Sequence, residues 1–230
     1  MKRVIIFLLV LLTFSSLKAQ NIPGDQLGAW YMYFFNKKFG DGPFGIQGDY
    51  QFRFWNAGSD LEQLLLRTGI TYTPEKSNVL LTLGYGHITT GEFGDGTNTF
   101  NESRIYQEAL LPHRLGSRVL LTHRFRYEQR WVADQNFRTR YRYNIFVNIP
   151  LNATELKKGT TYIALYNELF INGQRGIGDG RSVQYFDRNR TYVGMGYGLN
   201  DKLRMQLGWM KQTTNNWDKG QAQISLHHNW

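Results

Sequence analysis

Between residues 118 and 149 the chain alternates charge and apolar bulk with a period of two. Arg124, Arg126, Glu128 and Arg130 fall on one face of an extended segment, and Phe125, Tyr127 and Trp131 fall on the other. The next segment repeats the pattern, with Arg138, Arg140 and Arg142 against Tyr141, Tyr143, Ile145 and Val147. Two-residue alternation specifies strands, because successive side chains point to opposite faces of a sheet. A sheet with one aromatic face and one arginine face has two solutions. Either the aromatic face is a soluble core, or it faces lipid and the charges line a lumen.

The beginning of the chain favours lipid. Lys2 and Arg3 precede an unbroken apolar run from Val4 to Leu12, and a more polar stretch ends at Ala19 with Leu17 two residues before it. This pattern predicts a secretory signal peptide over residues 1–19, cut to leave Gln20 first. The apolar run falls short of the ~20 residues a membrane helix needs. No cysteine occurs anywhere, which excludes a lipoprotein anchor and a disulfide framework. Three of the 27 basic residues and none of the 18 acidic ones lie in 1–19, so the remainder is still basic. Its basic residues are interleaved with apolar ones rather than clustered, which argues against nucleic-acid binding.

Residues 20–230 carry eleven strand-like segments, at 27–36, 44–55, 62–73, 79–88, 102–111, 118–131, 138–149, 161–172, 185–199, 202–212 and 221–230. Phe44, Ile46, Tyr50, Phe52 and Phe54 oppose Gln47, Asp49, Gln51 and Arg53; Leu203, Met205, Leu207 and Trp209 oppose Arg204, Gln206 and Gly208. No domain break or long linker interrupts them. Tight turns at 74–78, 112–117 and 200–201 alternate with longer polar loops at 89–101, 173–184 and 213–220, with 150–159 an exception on the short-turn side. That asymmetry, arginine rather than lysine on the charged faces, and a last strand ending on Trp230 predict one all-β, antiparallel transmembrane barrel. Its place is the bacterial outer membrane. Its expected partners are outer-membrane lipid and the barrel assembly machinery, which reads the strand ending in Trp230. An even strand count asks for twelve strands with one hidden, or for ten with residues 27–36 lying elsewhere.

The ordered motifs resemble an uncharacterised family of Gram-negative outer-membrane proteins, domain-of-unknown-function family 2490. The resemblance rests on Leu-Gly-Ala-Trp30, on Glu102 and Arg104, on the Arg124–Arg126–Glu128–Arg130 strand and on the Arg-Tyr-Arg-Tyr strand ending in Pro-Leu. It continues through Asn-Glu-Leu-Phe at Glu168 and through Asn189 to Tyr197. It implies an outer-membrane barrel and carries no catalytic residues.

By parity the inward arginines are Arg53, Arg67, Arg104, Arg124, Arg126, Arg130, Arg138, Arg140, Arg142, Arg188, Arg190 and Arg204, against the acids Asp49, Glu108, Glu128 and Glu168. Around the turn at 132–137, Glu128 should face Arg140 and Arg126 should face Arg142. Glu168 should approach Arg188 or Arg190. One reading makes this network a wet structural core; the other makes it an anion-attracting pore or binding site for small anionic solutes. Inward glycines at 84, 86, 194, 196 and 198 should leave space below the ladder. The alternative class is an outer-membrane lipid-modifying hydrolase, with His87, His113, His123, His227 or His228 serving Ser103, Ser117, Ser182 or Ser225. Ser225 and His227 share a face, but no third member is visible, so an enzyme is not expected. Nor is a cofactor or metal: His227 and His228 point to opposite faces, and Glu92, Asp95 and Asn98 are ordinary loop composition.

Overall fold

The period-two pattern is realised as strands throughout. The computed structural model describes residues 27–94 and 96–230, so the expected signal peptide and Asp95 lie outside the described residues. In chain order the strands are β1 (Gly28–Lys38), β2 (Phe44–Asn56), β3 (Ser59–Tyr72), β4 (Leu80–Gly91), β5 (Thr99–Leu115), β6 (Val119–Val132) and β7 (Arg138–Pro150). They continue with β8 (Thr161–Asn172), β9 (Gly176–Gly178), β10 (Arg181–Ser182), β11 (Phe186–Gly198), β12 (Leu203–Thr213) and β13 (Asp218–Asn229). Strands β9 and β10 pair with each other in the connection between β8 and β11; the other eleven close a barrel.

The strand count is therefore eleven, not twelve or ten. In a ring of purely antiparallel neighbours the count must be even, so an odd ring contains one parallel contact. Here that contact is β1 with β13, running from Gly28 opposite Gln221 to Asn36 opposite Asn229. Residues 27–36 thus need no hidden partner: they form β1, which pairs antiparallel with β2 on its other side. The expected asymmetry of connections is also much reduced. Strand β5 runs on through Pro112 to Leu115, so its turn shrinks to 116–118, while 151–160 and 173–185 are the longest connections at opposite ends.

Alternation sorts side chains as the pattern requires. Ile70, Leu83, Val193, Met195 and Leu207 face outward and are more than half exposed, as are Phe125 and Tyr141. Asp49, Arg67, Arg104, Glu128, Arg140 and Glu168 face the interior and are buried. This is the reverse of a soluble protein, which hides apolar groups and solvates charges.

The inward glycines do not leave open space. A Cβ on Gly84 would stand 2.1 Å from the Tyr106 ring, one on Gly196 2.1 Å from the Tyr162 ring, and one on Gly194 2.2 Å from the Tyr192 hydroxyl. Gly84 pairs directly with Tyr106, and Gly196 with Tyr162. Each glycine is the flat seat on which a neighbouring inward tyrosine lies. Both mouths are partly covered. At one end Trp55 meets Phe93 and Trp217, with Lys219 Nζ donating to the Trp55 carbonyl at 3.0 Å. At the other, residues 151–160 fold inward, and Leu156 packs against the cluster of Trp30, Tyr162, Ala164, Tyr192 and Met210.

Gly196→Ala should destabilise the barrel by about 1–3 kcal/mol, the usual cost of overpacking. Gly58→Ala, where a Cβ meets nothing within 4 Å, should change stability far less. Chemical denaturation of the two variants in detergent measures the difference.

Candidate functional site

The charged faces of β5 to β8 and β11 meet in a transverse belt centred on Glu128, which is fully buried. Its register partner is Arg140, and Arg126 lies opposite Arg142. Arg140 donates two hydrogen bonds to Glu128 Oε2, at 2.9 and 2.7 Å, and Arg142 Nη1 donates to Oε1 at 2.6 Å. Arg104 and Arg126 stand 3.8 and 3.9 Å from Oε1. Around this centre Glu102 receives Arg104 and Arg130, Glu108 receives Arg126, Asp187 receives Arg140 and Arg188, and Asp49 receives Arg67. Glu168 does not bond its register partner Arg190. It accepts instead from Arg142 and Arg124, at 2.5 and 2.6 Å.

Among the described residues the interior acids number seven rather than four: Glu62, Glu102 and Asp187 join Asp49, Glu108, Glu128 and Glu168. Glu102 shares its parity with Arg104, so alternation alone places it inside. The other two sit at irregularities in register: Glu62 falls where Arg53 pairs Gln63 but Phe54 pairs Leu61, and Asp187 where Phe186 pairs Ile171 but Arg188 pairs Phe170. A bulge inserts one residue and breaks the alternation that parity counting relies on.

The interior also holds aromatic rings that an outward-aromatic reading misses. Phe170, which shares parity with Glu168, has Arg142 and Arg190 at 4.5 and 4.8 Å from its ring centre and Arg140 at 5.2 Å. Trp30 lies between Arg53 at 3.7 Å and Arg190 at 4.7 Å and donates from Nε1 to Glu62 at 2.8 Å. These contacts lie within cation–π range, where a desolvated guanidinium gains ~2 kcal/mol. They matter because Arg53, Arg138, Arg190 and Arg204 form no ion pair among the described residues. Arg53 bonds the amides of Gln51 and Gln63, and Arg190 bonds that of Gln212.

Between the belt and the strand ends at Asn36, Asn148 and Asn229 lies a cavity of about 310 Å³. Its wall mixes Arg124, Arg126, Arg190 and Arg204 with Trp30, Phe34, Phe146 and Tyr192, and its carboxylates Asp49, Glu108 and Glu168 are each already paired with arginine. Ser225 Oγ and His227 Nε2 are hydrogen-bonded at 2.9 Å inside this cavity, and His227 stacks on Phe34. No carboxylate or amide holds the other ring nitrogen of His227 among the described residues; its register neighbour is the cation Arg204. His123 and His228 instead bond Tyr143 and Tyr33 on the outer face. His113, Ser117 and Ser182 are exposed.

The sequence profile of the family described as "Protein of unknown function (DUF2490)" matches residues 27–223. The chain belongs to that family. It is 28% identical over 196 residues to an uncharacterized protein of Methylorubrum extorquens, a match covering 80% of this chain and 79% of that protein. No solved structure matches.

Glu128→Ala should cost on the order of 3–5 kcal/mol of stability, because it strands several buried guanidinium groups at once. Arg114→Ala, at an exposed turn position, should stay within about 0.5 kcal/mol. Equal unfolding midpoints for wild type and Glu128→Ala would show that the belt is not a structural centre.

Proposed function

We propose that this member of family 2490 is an outer-membrane β-barrel whose interior binds a small amphipathic anion and is closed to through-flow by the ion-paired belt. The observation that carries the location is the inverted sorting of side chains. Aliphatic groups such as Ile70, Leu83 and Leu207 are exposed around the outside of a closed ring while charges fill its inside. In water each such group forgoes ~1.5–3 kcal/mol of burial; hydrocarbon restores it, and a closed ring satisfies the backbone there. Outward aromatic pairs near the two rims, Phe44 with Tyr72 and Trp131 with Phe137, fit the interfacial girdles of such barrels. The signal-like residues 1–19 and the outward Trp230 at the end of the last strand fit export and recognition by the assembly machinery.

Binding is favoured over conduction because the belt spans the interior with buried, mutually bonded side chains. The 310 Å³ cavity beside it is within the size range of small-molecule pockets. Its wall pairs apolar rings with guanidinium groups, and Arg204 brings a cation with no carboxylate partner among the described residues. A carboxylate or sulfonate on a short apolar body matches that wall. The hydrolase reading has the Ser225–His227 contact in its favour, but a base needs an orienting acceptor, and among the described residues none bonds the other ring nitrogen of His227, whose cross-strand register partner is a cation, Arg204.

Two measurements test this. The folded protein should fractionate with outer membranes and require detergent for release; a freely soluble periplasmic monomer would sink the location. Calorimetry with 4-phenylbutyrate should show saturable binding that Arg204→Glu weakens by about tenfold or more, equivalent to ~1.4 kcal/mol. Sustained anion-selective current in planar bilayers would replace the binding reading with a pore.

A further inference from the structure

Within the belt, apart from the larger cavity's open end, is a void of about 40 Å³ whose wall is formed by eight arginines together with Gln63, Leu65 and Phe170. Six of those arginines have carboxylate partners: Arg67, Arg104, Arg130, Arg140, Arg142 and Arg188. The other two are Arg53 and Arg190, each about 95% buried and bonded to neutral amide oxygens. No carboxylate lines the void itself. We propose that this void is a binding site for one small inorganic anion, which bridges Arg53 and Arg190, offsets one of their two charges and completes the belt.

Charge and room both favour an anion here. Burying a cation without a counter-charge costs several kcal/mol, and the cation–π contacts on Trp30 and Phe170 recover only part of that. Water would solvate the two guanidinium groups but leave their charge uncompensated in a low-dielectric space. A monoanion between them accepts hydrogen bonds from both and halves that uncompensated charge. A water-sized particle needs ~10–15 Å³ of such space, so 40 Å³ admits a halide or a small oxyanion and excludes any solute with an organic body. Guanidinium forks offer paired N–H donors to such an anion. Arg53, Arg67, Arg142 and Arg190 border both the void and the larger cavity, whereas Arg204 borders only the cavity, so Arg204 variants separate the two.

The test uses the purified, folded barrel in neutral detergent at constant ionic strength, with gluconate as the bulk anion because it is too large for the void. Adding chloride, bromide or nitrate should raise the melting temperature saturably, by about 3–5 °C at roughly tenfold excess over the dissociation constant. Arg190→Gln should abolish most of that rise, whereas Arg204→Gln, in the larger cavity, should keep it. Crystals grown in bromide should show an anomalous peak among Arg53, Arg140 and Arg190, a readout on the wild-type chain that stands even if Arg190→Gln fails to fold. A melting temperature indifferent to anion identity, full retention of the anion effect in Arg190→Gln, or bromide absent from the void would each overturn the proposal. Loss of phenylbutyrate binding with the halide effect intact would remove the cavity reading and leave this one.

Discussion

A carboxylate with no access to water, held by two guanidinium groups and approached by two more, is the constraint on which this barrel turns. Glu128 cannot be relieved by solvent, so its partners on β5, β6 and β7 must arrive in one register. A slip of one residue along any of these strands would turn every inward side chain outward, stranding the charge and placing arginines among the apolar side chains of the outer face. The belt therefore specifies register more than it adds net stability, since buried ion pairs often do little better than apolar substitutes of the same volume. Its satellites extend the same logic: Glu168 ties β8 to β6 and β7, and Asp187 ties β11 to β7.

The cross-strand pairing of Glu128 with Arg140 and of Arg126 with Arg142 was legible because β6 and β7 form a regular hairpin, where alternation and a single turn determine everything. The strand count was not legible. Both faces of β1 are apolar, with Trp30, Met32 and Phe34 inside and Tyr31, Tyr33 and Phe35 outside, so no charge pattern declares its partner. A parallel neighbour nearly two hundred residues away leaves no local mark. The inward positions of Glu62 and Asp187 are illegible for a different reason: a bulge is a single inserted residue, and a period of two carries no memory across it. The inward tyrosines were hidden by chemistry rather than geometry. An aromatic ring suits lipid and suits a guanidinium face, and sequence parity at Tyr106 or Phe170 decides between them only if read against a charged neighbour on the same face.

The candidate site was visible as a set of arginines but not as an arrangement. Counting four inward acids suggested a strongly positive tube; seven acids and several stacked rings turn the same arginines into a mostly neutralised partition. What survives of the positive character is localised, at Arg53 and Arg190 within the partition, at Arg138 at the start of β7, and at Arg204 in the cavity beside it. Local charge of this kind favours holding an anion in place over passing a stream of them.

The parallel contact between β1 and β13 also sets a schedule. Trp30 on β1, Glu62 on β3 and Gln221 on β13 share one hydrogen-bonded cluster, with Glu62 accepting from both. The first strand thus waits for the last, and no hairpin turn holds them together meanwhile. Until β13 has been made, β1 and β12 both present unpaired edges, the feature that invites pairing with other chains. A ring built this way cannot seal itself strand by strand from its beginning: the free edge of β1 stays open until β13 exists to cover it.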